Sequence, residues 1–348
     1  MAAGPETLRL LNGRRVQLNA VVDEVTRLQV ASYARAWDSL VADLESTLVD
    51  AATALGEGRR LTLQSRQERL TAALRRMSGE LDDLAAAGRV QITDAAGRAI
   101  QVSQDFDGRV VASQLPAGAG STAALGRQFA GRVAPDVFDQ ILRRSSEQIT
   151  ALTRPLPDLT LNVVRQELVR GITVGDNPRV TALRMLGRVE DRFNFGLSRS
   201  LTIARTESLD AYRNANSAFA NANSDVLQGW QWFAELDDRT CVACVALHGE
   251  FFPLEEPGPD GHQNCRCTRL DVTRPWRELG FDVDEPASIF PSRDDFIDGL
   301  DEDSRVRLFG AQRDAMLRDG TATLRDFVEE RPADGWRRSF GVRSLSAM

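Results

Sequence analysis

Apolar positions between about Val16 and Ala87 recur at spacings of three, four or their sums. Leu18, Val22, Val25, Tyr33, Trp37, Leu40, Leu44 and Leu48 form one stripe, and Leu63, Leu70, Leu74, Met77, Leu81 and Leu84 a second. This is the spacing of one helix face, and Gly88 stands where a C-cap would end the second helix. Two long helices in a hairpin are predicted. The period then changes: Val90 and Ile92, a turn signal at Asp94-Ala-Ala-Gly97, then Ile100 and Val102 alternate as a small β-hairpin would. Pro116 to Ser121, rich in glycine, reads as a flexible connection and a boundary.

Helical signals resume at Asp136, a candidate cap for Val137–Leu142, and continue through Leu161–Leu168 and Arg179–Val189. The longest stripe follows: Leu197, Leu201, Ala204, Ser208, Ala211, Ala215, Phe219, Ala222 and Val226. Its small side chains would let another helix approach closely, which makes this helix central. After Gly229 the pattern alternates in Trp230-Gln-Trp232-Phe, and a second strand-like run extends from Cys265 to Val272. The tail carries an amphipathic helix near Val306–Leu317 and a shorter one near Leu324–Val328. The expected fold is mainly α with a small β-unit (α+β), in four parts: a helical hairpin with a β-hairpin over 1–115, a central helical bundle over 122–228, a Cys/His metal-clamped β-unit over 229–275, and a helical tail over 276–348.

The 348 residues are 42% hydrophobic and 27% charged, ordinary values for a folded chain. The net charge is -7, and all 43 basic residues are arginine, scattered and outnumbered by acids. Pairs such as Arg14-Arg15 and Arg337-Arg338 do not amount to the one-sided basic footprint of a nucleic-acid binder. No run has the apolar length of a membrane span, and Met1–Arg15 lacks the apolar core of a secretory signal. The expectation is a protein that folds in the cytoplasm with reduced thiols and no membrane partner.

In that setting the placement of the cysteines carries the most information. All four, and both histidines, fall in one stretch: Cys241-Val-Ala-Cys244, His248, then His262-Gln-Asn-Cys265-Arg-Cys267. Two thiolates across a tight turn, joined by a second pair from a later strand, suit one tetrahedral ion. Cys241, Cys244, His262, Cys265 and Cys267 are five candidates for four positions; the first four rank ahead, with Cys267 as a substitute or a fourth thiolate. A strand would point Cys265 and Cys267 to one face, and the loop at Pro259-Asp-Gly261 could swing His262 in. A full nitrogen and sulfur set is a closed structural zinc site, able to contribute ~10–16 kcal/mol to a β-unit too small to hold itself.

Enzymatic readings fare worse. His248-Gly-Glu250 matches the His-x-Glu of zinc deaminases, but there the cysteine pair follows the histidine and carries a proline, whereas here it precedes it and has none. A cysteine-pinned, HNH-type metal-dependent nuclease would need His248 as an unaided base, because His262 and Asn264 flank Cys265 too closely for a separate catalytic metal. The competing role for His248 is to cap a turn.

Taken in order, Arg205-Thr206-Glu207 on a long helix, Trp230, Asp237-Asp-Arg-Thr-Cys-Val-Ala-Cys244, Leu247-His-Gly249 and His262-Gln-Asn-Cys-Arg-Cys267 resemble the phage Mu protein F-like head morphogenesis family. The likeness covers about Leu161–Val272, with a weaker echo at Leu308–Arg313 and Gly320–Val328. It implies a minor capsid protein of a tailed phage, low in copy, in the virion head near the portal vertex. The implied partners are the portal protein, the major capsid or scaffold protein and packaged DNA, the last without support from charge. The implied roles are head assembly and, in some relatives, travel with the ejected genome. His248 stands where Asp is common in the family, which argues against an essential ligand there. Arg205, Thr206 and Glu207 fan out by about 100° each around a helix, so they cannot share one compact site; the expectation is that one of them reaches into the β-unit as a buried ionic latch. Beside this reading stand the nuclease and a general zinc-stabilised interaction module outside any virion.

Overall fold

The computed structural model describes residues 3–56, 63–174, 178–256, 261–331 and 339–347. Six helices come first: α1 (Pro5–Gly56), α2 (Leu63–Ala112), α3 (Thr122–Ala130), α4 (Pro135–Thr153), α5 (Leu156–Val174) and α6 (Pro178–Ala222). Then follow β1 (Leu227–Phe233), α7 (Val242–Leu247), β2 (Phe251–Pro253), β3 (Thr268–Thr273), α8 (Arg293–Asp298), α9 (Glu302–Phe309), α10 (Ala311–Arg318), β4 (Val328–Arg331) and β5 (Ser339–Val342). The α+β class holds, and no described helix is long and apolar enough to cross a membrane.

The chain divides into two compact units. One comprises Val22–Ala95 and Arg144–Glu207, and its described elements are all helices. Its core interleaves Tyr33, Leu40, Met77, Leu81, Leu161, Val164, Val189 and Phe193, with Phe193 tilted against Tyr33 and Trp37 at 5.1 and 5.3 Å between ring centroids. These are the stripes read from periodicity; the side chains of Leu44, Leu48, Leu63, Leu70 and Leu168 lie outside the described ones. The other unit comprises Met1–Val21, Ala96–Arg143 and Ser208–Met348 and contains the five strands found among the described residues.

The expected β-hairpin at 90–102 is absent, because α2 runs straight through it. Ile92, Ala95, Ala96, Ala99, Ile100 and Ser103 are buried while Val90 is 62% exposed, so the true stripe has helical spacing and is built on alanines. β-branched residues alone imitated a strand there. Gly88 is likewise no C-cap: it lies inside α2, where the Gln29 side chain donates to its carbonyl at 3.3 Å and an added Cβ would stand 3.3 Å from the Gln29 Oε1. Asp136 sits in the first turn of α4 behind Pro135 instead of capping it, proline being suited to the first helical position. At the other end of the chain, the single helix expected over 306–317 is two, parted at Gly310, whose φ of +78° a side chain would disfavour. The segment near 324–328 is a 3-10 turn leading into the unexpected β4–β5 hairpin.

In the three-stranded sheet β1 lies between β2 and β3, antiparallel to both. Gly229 permits this pairing, since a Cβ there would meet the Phe252 carbonyl at 2.4 Å. Beneath the sheet, a buried polar core joins α1, α2, α6 and β3. Arg14 donates to Asp107 at 3.1 Å, to Thr268 Oγ1 at 3.2 Å and to the Arg269 carbonyl at 2.7 Å. Tyr212 donates to Asp107 at 3.1 Å, and the Asn216 amide bridges Asp107 and Asp271 at 3.0 and 2.8 Å.

Candidate metal centre

The five candidate donors converge. Cys241 closes the chain after β1 and caps α7, its Sγ accepting from the Cys244 amide at 3.4 Å. That helical turn carries Cys244 back to the same side as Cys241. The second group comes from the segment before β3: the Cys265 amide donates to the His262 carbonyl at 3.0 Å, with Asn264 at a φ of +62°, so a tight turn brings His262 and Cys265 together. β3 itself starts at Thr268, and both Cys265 and Cys267 lie just outside the strand in which they were expected. Pro259 and Asp260 of the loop expected to swing His262 inward lie outside the described residues.

Within the cluster His262 Nε2 is 3.1 Å from Cys241 Sγ and 3.5 Å from Cys244 Sγ, and Cys244 Sγ is 3.7 Å from Cys265 Sγ. Two overlapping donor triples share Cys244: Cys241, Cys244 and His262, and Cys244, Cys265 and Cys267. All four thiols are free; a disulfide would bring sulfurs to about 2.05 Å. Tetrahedral zinc with bonds of about 2.3 Å to sulfur and 2.0–2.1 Å to nitrogen sets ligand edges of about 3.8 Å for two sulfurs and about 3.6 Å for sulfur and nitrogen. The 3.7 and 3.5 Å separations fit those edges, and the Cys241–His262 edge at 3.1 Å is tighter. His262 Nδ1 faces the Gln263 carbonyl at 2.7 Å; a proton held there leaves the Nε2 lone pair to the ion, the arrangement usual for a ligating histidine.

The thiols divide electrostatically: Cys244, chiefly through its contact with Cys241, and Cys267, against its contact with Cys244 but through Cys265 and burial, are held well above the ordinary thiol range, while the other two are drawn down. The Cys241 thiol is drawn down to about 5, chiefly by its contact with Cys244 and, against burial, by His262. Burial works against charge on His262, but Cys241 and Cys265 prevail and raise it to about 11. Contact with Cys244 likewise holds Cys265 well below the ordinary thiol range. Two readily ionised thiols beside an imidazole, with two further thiols next to them, are the donor chemistry of a soft divalent ion. The residues therefore fit zinc, with Cys241, Cys244, His262 and Cys265 or Cys267 able to supply four ligands.

Other residues frame the cluster. Arg266, between the two cysteines, turns to the opposite side and makes a two-pronged pair with Asp237 at 2.8 and 2.6 Å. Burial opposes charge on Asp237, yet this pairing lowers it to about 2. Thr240 donates to Asp237 at 2.9 Å and accepts from its amide at 3.1 Å, so the approaches to both cysteine pairs are tied together. Trp230 and Trp232 are buried next to the thiols, with Trp230 stacked on Phe252 at 4.3 Å.

His248 stands apart from the cluster. Its Nδ1 accepts from the Ala234 amide at 3.0 Å, so Nε2 bears the proton and faces the Pro291 carbonyl at 3.0 Å. The ring stacks on Phe290, and burial lowers its affinity for a second proton. With both nitrogens engaged, its ring ties the end of β1 to the segment before α8, a structural role that differs from the turn cap expected of it. In the Arg205-Thr206-Glu207 turn, Thr206 and Glu207 are buried, and the Thr206 hydroxyl donates to the Thr202 carbonyl at 2.7 Å. Arg213, further along α6 and overlooked in the sequence, reaches the ligand segment.

Residues 162–270 match the family model described as Phage Mu protein F like protein. The stretch runs from α5 through α6 and the entire Cys/His segment into β3, and over it the likeness read from the ordered residues holds. No curated protein and no solved structure matches the chain.

Proposed function

We propose that this chain is a structural minor head protein of a tailed phage, in which one zinc ion fixes the compact β-unit. The family match that spans every candidate ligand carries the reading. On it, the protein resides in the virion head at the portal vertex, takes part in capsid assembly with portal and major capsid or scaffold protein as partners, and accompanies the genome at ejection. The occupation of both His248 nitrogens supports a scaffold over a nuclease, since a general base needs a free lone pair within reach of its proton. Within the same proposal, the Arg205-Thr206-Glu207 turn acts as a structural latch. An Arg205→Ala protein that melts like wild type and still enters heads would remove that part alone.

The test is the composition of assembled particles. Purified heads should contain the chain in low copy, and cross-linking should join it to portal protein. Heads without the chain, or a chain that never co-purifies with portal, would instead favour a general zinc-stabilised interaction module.

A further inference from the structure

Arg213 is 5% exposed, and its guanidinium ends on main-chain carbonyls: Nε donates to Cys267 O at 3.1 Å, while Nη2 donates to Cys267 O and Cys265 O, both at 2.8 Å. In an extended segment alternate residues share a face, so a donor that gathers the carbonyls of 265 and 267 fixes the direction of both thiols. Arg266 is thereby left to the other side, where it meets Asp237. The contact extends to the residue before His262: a Cβ on Gly261 would stand 2.8 Å from Cζ, Nη1 and Nη2 of Arg213. Glycine at 261 is what lets the chain lie against the guanidinium. One side chain of α6 therefore touches the main chain beside His262 and at both Cys265 and Cys267, three of the five candidate ligands, without being a ligand.

We propose that Arg213 is the positioning residue of the metal centre: its planar fork holds the 261–267 segment in ligating geometry, so that ion affinity depends on a non-ligand of the long helix. The inference rests on the zinc reading above. Groups that orient ligands typically govern about 10–100-fold in metal affinity, and lysine cannot reproduce a fork shared between two carbonyls.

The experiment uses the full chain as wild type, Arg213→Ala, Arg213→Lys and Gly261→Ala. Zinc affinity is measured by competition with a chromophoric chelator, and ligand geometry by the thiolate charge-transfer and d–d bands of the cobalt(II) form. Arg213→Ala should lose about 10–100-fold in affinity with altered cobalt bands. Arg213→Lys should fall between it and wild type, and Gly261→Ala, which keeps the arginine but displaces it, should also weaken binding. Wild-type affinity and spectrum in a folded Arg213→Ala would overturn the proposal. Should that variant not fold, the same result in both Arg213→Lys and Gly261→Ala would overturn it equally. A wild-type chain that binds neither ion would sink the zinc reading itself, a distinguishable result.

Discussion

The helical unit of Val22–Ala95 and Arg144–Glu207 and the unit that holds the cysteines keep their interiors by different balances of apolar and polar burial. In the first, an apolar cluster dominates, with Leu40, Met77, Ile92 and Val189 nearly sealed from solvent, beside a few buried polar groups such as Gln29, Glu167 and Ser200. In the second, the sealed interior includes Arg14, Asp107, Arg213, Asn216 and Asp271 together with three of the four thiols. Dispersion and area burial spread stability over many side chains. Buried charge and ion ligation concentrate it in a few, each worth more when broken and each answerable to protons or metal.

Four substitutions probe that contrast. Cys244 belongs to both donor triples, so Cys244→Ser should abolish zinc retention and, on the scale of ~10–16 kcal/mol for structural zinc, unfold the sheet region. The near-UV signal of Trp230 and Trp232 should vanish while most helical far-UV signal stays. Retained zinc with native near-UV spectra would erase the distinction between the units. Next, Arg14→Ala leaves Asp107 buried without its cation and should cost about 3–5 kcal/mol in a denaturant melt; a loss under about 1 kcal/mol would mean that the polar core is incidental. Leu40→Ala in the helical unit should cost about 2–5 kcal/mol with zinc content unchanged, and an accompanying metal loss would contradict independent support of the two interiors.

The smallest effect is a pH dependence. Burial first, and Asp107 second, raise the Asp271 carboxyl to about 7. The folded chain then keeps a proton that the unfolded chain releases near the ordinary value of about 3.9. The associated stability is fully present below that value, declines as pH rises, and is gone above about 7. Asp271→Asn should flatten the decline between pH 4 and 7, measured by melts across that range; an unchanged slope would show that Asp271 is not its source.

How far the sequence could be read follows the same divide. Repeated Leu, Val and Met at helical spacing announce long helices because area burial needs only periodicity. Where alanines carried the stripe, at 95, 96 and 99, β-branched neighbours misdirected it into a hairpin. The ligands were legible because thiols and imidazoles are scarce and clustered. Arg213 and the Asp237–Arg266 pair were not, since among 43 arginines nothing local marks the few that are buried. His248 was ambiguous for a related reason: its role depends on the Ala234 amide and the Pro291 carbonyl, which only the fold brings to it.

The most direct test of the central claim, that thiolates and His262 hold one ion that secures the sheet, is metal analysis of the purified protein combined with a thermal melt before and after chelation. The account predicts one zinc per chain, and after chelation a lower melting temperature with loss of the buried-tryptophan near-UV signal. A metal-free preparation with an unaltered melt in chelator would contradict it.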